Sequence, residues 1–152
     1  MTKEVVTLKR ETPLREIIKL FENKNYHALP VVDKYKRLIG MVSFEDILKV
    51  FQPYSQDLHQ MLNALPFIEK PKEAKILDAD ISPEIGILVV ADDILSTELV
   101  TIGPEEDISR AYSLMKLHKR QRLFVTKEDG SLVGIITLFD IIFHLFKDKE
   151  II

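Results

Sequence analysis

The chain repeats itself: a shift of 94 positions places residues 5–51 on residues 99–145 without a gap. Apolar positions keep step through both copies, and the matches include Gly40 with Gly134 and Asp46 with Asp140. An internal repeat constrains the architecture more strongly than local patterns do. Each copy has roughly 50 residues, too few to bury a good core alone. We therefore expect the copies to pack on each other, with a ligand cleft between them.

Composition bounds the class of protein. The apolar content of 46% and charged content of 30% are ordinary for a globular chain with one core or two subdomains. The chain has no cysteine, which excludes disulfides, thiolate metal sites and a cysteine nucleophile. The longest apolar run, residues 85–91, is too short to cross a bilayer, and the charged N-terminus is no signal peptide. We therefore expect a cytoplasmic location.

Charge is divided unevenly along the chain. Residues 52–98 hold three Lys or Arg against nine Asp or Glu, whereas the remainder holds eighteen against fifteen. This balance excludes a strong nucleic-acid footprint over the whole chain but permits a local anion pocket in the repeats. We expect a first repeat at residues 1–52, an acidic helical insert at residues 53–92 and a second repeat at residues 93–152. Within the insert, a helix is predicted at residues 57–65 and a buried strand or helix at residues 85–91.

Each repeat is predicted to run strand, helix, strand, strand, helix. In the first copy the strands are residues 5–8, 28–32 and 38–42, the first helix starts after an N-cap at Thr12, and the second starts at residue 44. In the second copy the strands are residues 99–102, 123–126 and 132–136, and the closing helix covers residues 138–146. Few residues precede the first strand, which suggests that the chain is cut or descended from something longer.

One short motif ends the third strand of both copies: Gly, two apolar residues, Ser or Thr, two spacers and Asp, at residues 40–46 and 134–140. A hydroxyl three residues before an acid at a strand-to-helix junction indicates a capping box. The same groups suit a ligand, because helix N–H groups favour phosphate and the carboxylate can accept hydrogen bonds from a ribose diol. The glycine would let another group approach the strand closely. Capping and binding are compatible, and both remain open.

Two such units resemble a tandem pair of CBS (cystathionine beta-synthase) domains, a Bateman module, over residues 4–51 and 93–146. The resemblance implies an α/β (α+β) fold of two β-α-β-β-α repeats packed with pseudo-twofold symmetry. It also implies a non-catalytic regulatory role, a homodimer, and a host enzyme or transporter as partner. Adenosine-containing ligands (AMP, ADP, ATP or S-adenosylmethionine) would bind between the units. The chain departs from the pattern in its long acidic insert and in Phe124, which stands where the first copy has Pro30.

The resemblance assigns roles to individual residues. By this resemblance Asp46 and Asp140 would bind the ribose hydroxyls, and Ser43 and Thr137 would contact ribose or phosphate. The base pocket falls to the strands, at Thr7, Leu8, Thr101, Ile102, Ala28, Leu29 and Leu123. Phosphate falls to basic residues, at His27, Arg120 and Arg122. For the two arginines a solvated surface is an equal alternative, and for His27 a surface or strand-edge role is favoured.

Other functions are weighed against this one. The sequence has no P-loop, Gly-rich dinucleotide loop, zinc helix or nucleophile elbow. A structural dimerisation module, with the motifs acting as caps only, is the first alternative. Mg²⁺ sensing, as in modules attached to magnesium transporters, is the second. It would use the acidic residues of the insert and its end, although a solvated acidic surface is favoured for them: Asp78, Asp80, Glu84, Asp92 and Asp93.

Overall fold

The computed structural model describes residues 1–24, 26–50 and 82–152. The first unit contains β1 (Leu8–Lys9), α1 (Leu14–Asn23), β2 (Ala28–Val32), β3 (Leu38–Ser43) and α2 (Phe44–Val50). Two short helices follow, α3 (Ile85–Leu88) and α4 (Ala91–Ile94). The second unit contains β4 (Thr101–Ile102), α5 (Ile108–His118), β5 (Arg122–Thr126), β6 (Leu132–Thr137) and α6 (Leu138–Asp148). Within these ranges no helix has the length and apolarity needed to span a membrane.

The two units have the same topology. Each forms a three-stranded sheet in which the first strand runs parallel to the second and the second antiparallel to the third. The register repeats as well, because Val31 lies opposite Gly40 and Val125 lies opposite Gly134. The predicted fold of two β-α-β-β-α repeats is thus confirmed.

Each unit buries its own core. In the first, Leu14, Ile17 and Phe21 recur at helical spacing along α1 and pack on the apolar face of the sheet. In the second, Ala111 and Met115 of α5 play the same part. The strands and the closing helix of each unit supply further core residues: Leu29, Val31, Val42 and Ile47 in the first unit, and Leu123, Val125 and Ile141 in the second.

Several element ends differ from the prediction. Thr12 does not cap α1: its hydroxyl accepts a hydrogen bond from the Lys9 N–H at 2.9 Å, and Pro13 occupies the cap position without a side-chain bond. Residues 85–91, predicted as one buried strand or helix, contain the short helix α3, an extended link and the first residue of α4; Ile87 and Leu88 are exposed, whereas Ala91 is buried in the first core. The first strand of each unit is only two residues long. The helix predicted at residues 57–65 lies outside the described residues.

The units exchange the segments that lead into them. Thr2 pairs with Ile135 of the second sheet through hydrogen bonds of 2.9 and 3.0 Å. Ser96 pairs with Met41 of the first sheet through hydrogen bonds of 2.8 and 3.0 Å. Because Thr2 and Ser96 are 94 positions apart, the exchange obeys the repeat. The first copy therefore has a lead-in, and the exchange gives the pair its pseudo-twofold symmetry.

Candidate functional site

The two strand-to-helix corners carry the same hydrogen-bond network. At the first, the Ser43 N–H and hydroxyl both donate to Asp46 Oδ2, at 2.8 and 2.9 Å, and the Asp46 N–H donates to Ser43 Oγ at 3.3 Å. At the second, Thr137 and Asp140 form the same three bonds at 2.7, 2.9 and 3.2 Å. Both corners are capping boxes, which fixes the hydroxyl and the carboxylate against each other.

Capping leaves half of each carboxylate available. Both cap bonds end on Oδ2, and no hydrogen bond from the described residues reaches Oδ1 of Asp46 or Asp140. The Lys49 ammonium approaches Asp46 Oδ1 only to 3.8 Å. Asp46 is 6% exposed and Asp140 is half-buried. Each corner thus presents one rigidly held carboxylate oxygen that can accept a hydrogen bond from a ligand hydroxyl.

A cavity of about 340 Å³ lies between the two units at the first corner. Its first wall is the beginning of β2 with the β3–α2 corner, including His27, Ala28 and Ser43. Its second wall is the turn between α5 and β5 with the start of β5, including Arg120 and Arg122. The volume is near the lower end of the range typical of small-molecule sites. The repeat therefore creates a pocket to which both copies contribute.

Asp46 borders a neighbouring cavity instead. This second space, of about 680 Å³, is an open groove lined by Asp46, Lys49, Val50, Val89 and residues 93–98 of the linker. Glu98 borders both cavities. The hydroxyl and the carboxylate of the first corner consequently open on two adjoining spaces rather than on one.

The second wall of the cleft is cationic. Lys119, Arg120 and Arg122 line it, and none of them forms an ion pair with any described residue. Burial lowers the pKa of the half-buried Arg122 guanidinium, which nevertheless stays charged because arginine titrates far above neutrality. A partly desolvated guanidinium without a counter-ion favours an incoming anion.

Local backbone geometry holds these cations at the rim of the cleft. Helix α5 ends at His118, and the residue that follows, Lys119, adopts the left-handed conformation with φ 53°. The next residue, Arg120, returns its N–H to the Met115 carbonyl at 2.9 Å. This closes the helix and turns the chain directly into β5, so that residues 119–122 face the other unit.

The remaining predicted residues lie elsewhere. Four of them belong to the cores, where only their main chain could face a ligand: Leu8, Leu29, Ile102 and Leu123. Thr7 and Thr101 are exposed, and Thr7 borders a separate cavity beside the first hairpin turn. His27 lies edge-on to the Phe44 ring, with 6.0 Å between centroids. Phe44 and Lys119 also line the cleft, and the sequence analysis did not predict either of them. Phe44 could have been found, because it directly follows Ser43 in the closing motif.

The acidic residues considered for Mg²⁺ are dispersed. Asp78 and Asp80 lie outside the described residues. Asp92 forms an ion pair with Arg10 at 2.7 Å, Asp93 accepts the Val90 N–H at 3.0 Å, and Glu84 accepts the Ser82 hydroxyl. In the part of the chain that the structure describes, no three His, Asp or Glu side chains gather in a way that could hold a metal ion.

The fold and the paired corners define a tandem CBS unit. The family model for the CBS domain matches residues 1–53 and 90–147, and the chain belongs to this family. Among curated relatives, an uncharacterized protein of Methanocaldococcus jannaschii is 26% identical over 143 residues, covering 92% of this chain and 85% of that protein. The inosine-5'-monophosphate dehydrogenase of the same organism is 23% identical over 140 residues, covering 92% of this chain but only 21% of the enzyme.

Solved structures agree on the fold. CBSX2 in complex with AMP superposes with a TM-score of 0.69 at 22% identity, covering 98% of this chain and 94% of that one. The cytosolic domain of the Mg²⁺ channel MgtE in complex with ATP superposes with a TM-score of 0.63 at 19% identity. That match covers 95% of this chain and 46% of the MgtE chain. At such identities the likeness establishes the shared architecture.

Proposed function

We propose that the protein is a non-catalytic regulatory module that binds an adenosine-containing ligand between its two CBS units. The observation that carries this proposal is the cleft itself, in which the Ser43 corner of one unit faces Arg120 and Arg122 of the other, neither of which forms an ion pair with a described residue. A ligand that contacts both walls would fix the relative orientation of the two units. A partner that binds one orientation better than the other would then respond to whether the cleft is occupied. The AMP held by CBSX2 and the ATP held by MgtE support an adenine nucleotide here.

We assign the roles as follows. Asp46 Oδ1 accepts a ribose hydroxyl while Ser43 contacts ribose or phosphate, and Asp140 with Thr137 has the same role at the second corner. Arg120, Arg122 and His27 meet the phosphate. The base lies against strand main chain near Ala28 and near the other strand residues of the predicted site: Thr7, Leu8, Leu29, Thr101, Ile102 and Leu123. AMP, ADP, ATP and S-adenosylmethionine all carry the required ribose.

We further propose that two copies pair through α6. Its outer face presents Phe139, Ile142, Phe143 and Phe146 to solvent, and Phe139 is 71% exposed. Phe139 and Phe143 stack with 6.3 Å between centroids. A contiguous apolar face of this kind marks an interaction surface. The regulated host would be a cytoplasmic enzyme or the cytoplasmic side of a transporter, as in the relatives that carry CBS units within longer chains.

One alternative has its own support. Both motifs form complete capping boxes, so they would be explained equally by a dimerisation module that binds no ligand. That module would use the apolar face of α6 and leave the cleft empty. The two functions differ in one observable, the response to nucleotide.

A calorimetric and thermal-melting panel of AMP, ADP, ATP and S-adenosylmethionine separates them. We expect micromolar binding and a raised melting temperature, because a ligand selective for the folded state stabilises it. Asp46→Asn should remove this response. Asp107→Asn is the matched control, since Asp107 caps α5 by accepting the Arg110 N–H at 2.7 Å but borders neither the cleft nor the neighbouring cavity that Asp46 lines. A panel without heat or melting shift would leave the dimerisation module as the function.

A further inference from the structure

The two β-hairpin turns, residues 33–37 and 127–131, meet at the strand ends opposite to the two corners. The Leu38 N–H donates to the Gly130 carbonyl at 2.9 Å, and the equivalent bond in the other direction measures 3.0 Å. Between these bonds lies an antiparallel bridge of Arg37 with Ser131, two residues that the repeat superposes. A residue paired with its own repeat partner places the pseudo-twofold axis at the bridge. A feature beside one turn therefore has a counterpart beside the other, at the same distance from this axis.

A basic groove of about 710 Å³ lies beside the first turn. It is lined by two acids, Glu11 and Asp33, and by five cations: Lys9, Arg10, Lys34, Lys36 and Arg37. The two arginines pair with carboxylates of this chain, whereas the three lysines form no ion pair with a described residue. The exposed Tyr35 ring lies 5.0 Å from Lys34 Nζ and 5.0 Å from the Arg37 guanidinium carbon. This surface thus has an excess of positive charge that nothing described on the chain neutralises.

The equivalent groove beside the second turn has the opposite charge. Its volume is about 580 Å³, and it is lined by one lysine, Lys127, and by three acids: Glu105, Glu106 and Glu128. None of these four forms an ion pair with a described residue. At the tips of the turns the repeat places Glu128 on Lys34 and Asp129 on Tyr35. Because the two sheets have the same topology, the contrast comes from the side chains and not from the fold.

A second copy of the chain has the charges that complement both grooves. When that copy is turned over about an axis perpendicular to the pseudo-twofold axis, its acidic groove faces the basic groove and its basic groove faces the acidic one. Such a contact is isologous and closes as a pair. We infer that two copies associate through their hairpin ends, the surface formed by both turns and both grooves. A foreign acidic partner would complement the basic groove alone and would be repelled by the acidic one.

This contact is independent of the proposed nucleotide site and of pairing through α6. It depends on exposed charges, which are screened as the Debye length falls from about 10 Å at 0.1 M salt to about 3 Å at 1 M. Pairing through the apolar face of α6 has no such dependence on salt. Two isologous contacts on one chain build an assembly larger than a dimer. Low salt should therefore give this larger assembly, and high salt should leave the α6 pair alone, which is where α6 pairing is measured.

Charge reversal tests the contact by sedimentation velocity at an ionic strength of about 0.05 M. Lys9→Glu with Lys34→Glu turns the basic groove acidic, so that both grooves of the chain are acidic. Glu105→Lys with Glu128→Lys makes both grooves basic. Each double variant alone should lose the salt-sensitive association, because like charges then meet. An equimolar mixture of the two should regain it, because every acidic groove can again face a basic one.

Lys19→Glu with Lys116→Glu is the matched control. It changes the net charge as Lys9→Glu with Lys34→Glu does, at exposed residues that line neither groove, and it should associate like the wild type. All the substituted side chains are exposed, so the fold should remain intact, which thermal melting checks.

Three results would overturn the inference: a wild-type assembly that does not change with salt, an association that survives in either double variant, or a mixture that does not regain it. Binding of a polyglutamate peptide by a chain that does not self-associate would also overturn it and would assign the basic groove to an acidic partner. If α6 does not pair, the wild type should instead change from dimer to monomer as salt rises. Failure of one contact is therefore distinguishable from failure of the other.

Discussion

Gly40 packs so closely against Ser96 that a β-carbon built on residue 40 would lie 2.9 Å from the Ser96 carbonyl oxygen. Gly134 has the same relationship to Thr2, again at 2.9 Å. In each closing motif the glycine therefore admits the main chain that the other unit's lead-in contributes to the sheet edge. The close approach predicted from sequence exists, and its occupant is the main chain of the bridging residue, Ser96 or Thr2.

Gly40→Ala should destabilise the protein by about 1–3 kcal/mol, the usual cost of overpacking. The Ser96 main chain would have to move, and its two hydrogen bonds to Met41 would weaken. Gly134→Ala should cost less, because the nearest side chain there, that of Met1, is exposed and flexible and can move aside. Gly103→Ala is the control, since its nearest neighbour would be Glu106 Cγ at 3.7 Å. Urea unfolding measures all three, and equal losses would contradict this account.

Local sequence patterns predict most of the helices and strands, but they do not predict which residues pair at the sheet edges. The apolar spacing of Leu14, Ile17 and Phe21 and the continuous apolar run of Ala28–Val32 reflect contacts within one unit, so they could be predicted from one copy alone. The exchange of Thr2 and Ser96 between units joins residues far apart in sequence, and single paired residues leave no periodic signal. The prediction that Thr12 caps α1 was wrong because the first N–H groups of the helix find another partner. The main chain of residues 89–91 bonds to the start of α1, where the Leu14 N–H donates to the Val89 carbonyl at 2.8 Å.

The site divides in the same way. The two capping corners could be predicted because Ser43 and Asp46, three residues apart, interact locally. The opposite wall of the cleft is a tertiary feature. Arg120 and Arg122 could be proposed from the family resemblance. Lys119 reaches the wall because its left-handed backbone turns the chain there. Glycine is the usual residue in that conformation, so a lysine at this position gives no sequence signal for the turn.

Removal of the cap hydroxyl should cost stability at both corners. Ser43→Ala and Thr137→Ala are each expected to lose about 1 kcal/mol, the typical cost of deleting an N-cap side chain. The exchanges Ser43→Thr and Thr137→Ser keep the hydroxyl and should be close to neutral. Because Ser43 and Asp46 share one network, the double variant Ser43→Ala, Asp46→Ala should lose less than the sum of the single variants. Strict additivity in chemical denaturation would show that the two groups act independently.

The protein should lose stability at acid pH because a carboxylate in the turn between β5 and β6 becomes protonated. The Ser131 hydroxyl and N–H donate to Asp129 Oδ1 at 2.6 and 2.9 Å, and these bonds hold the pKa of Asp129 below its usual value. A carboxylate whose pKa is depressed by folding stabilises the fold above its unfolded pKa of about 3.9, and this contribution disappears as pH falls through the folded value.

Thermal melts at pH 7 and pH 3 test this turn with Asp129→Asn. The variant should melt below the wild type at pH 7, and the gap should narrow at pH 3, where the wild-type carboxyl is being protonated. Asp107→Asn serves as the control, because an asparagine still caps a helix well. A gap that stays constant between the two pH values would show that the charge of Asp129 contributes nothing.

The pairing of two copies through α6 can be tested with one lysine placed at adjacent positions. Phe143→Lys puts a charge into the apolar face and should convert a dimer into a monomer, as measured by sedimentation equilibrium. His144→Lys puts the same charge on the neighbouring polar face, where it can keep an ion pair with Asp148, which His144 approaches at 3.0 Å. Phe143 is already half exposed within one chain, so its loss should leave the fold intact. A dimer that survives Phe143→Lys would place the contact between copies on another face.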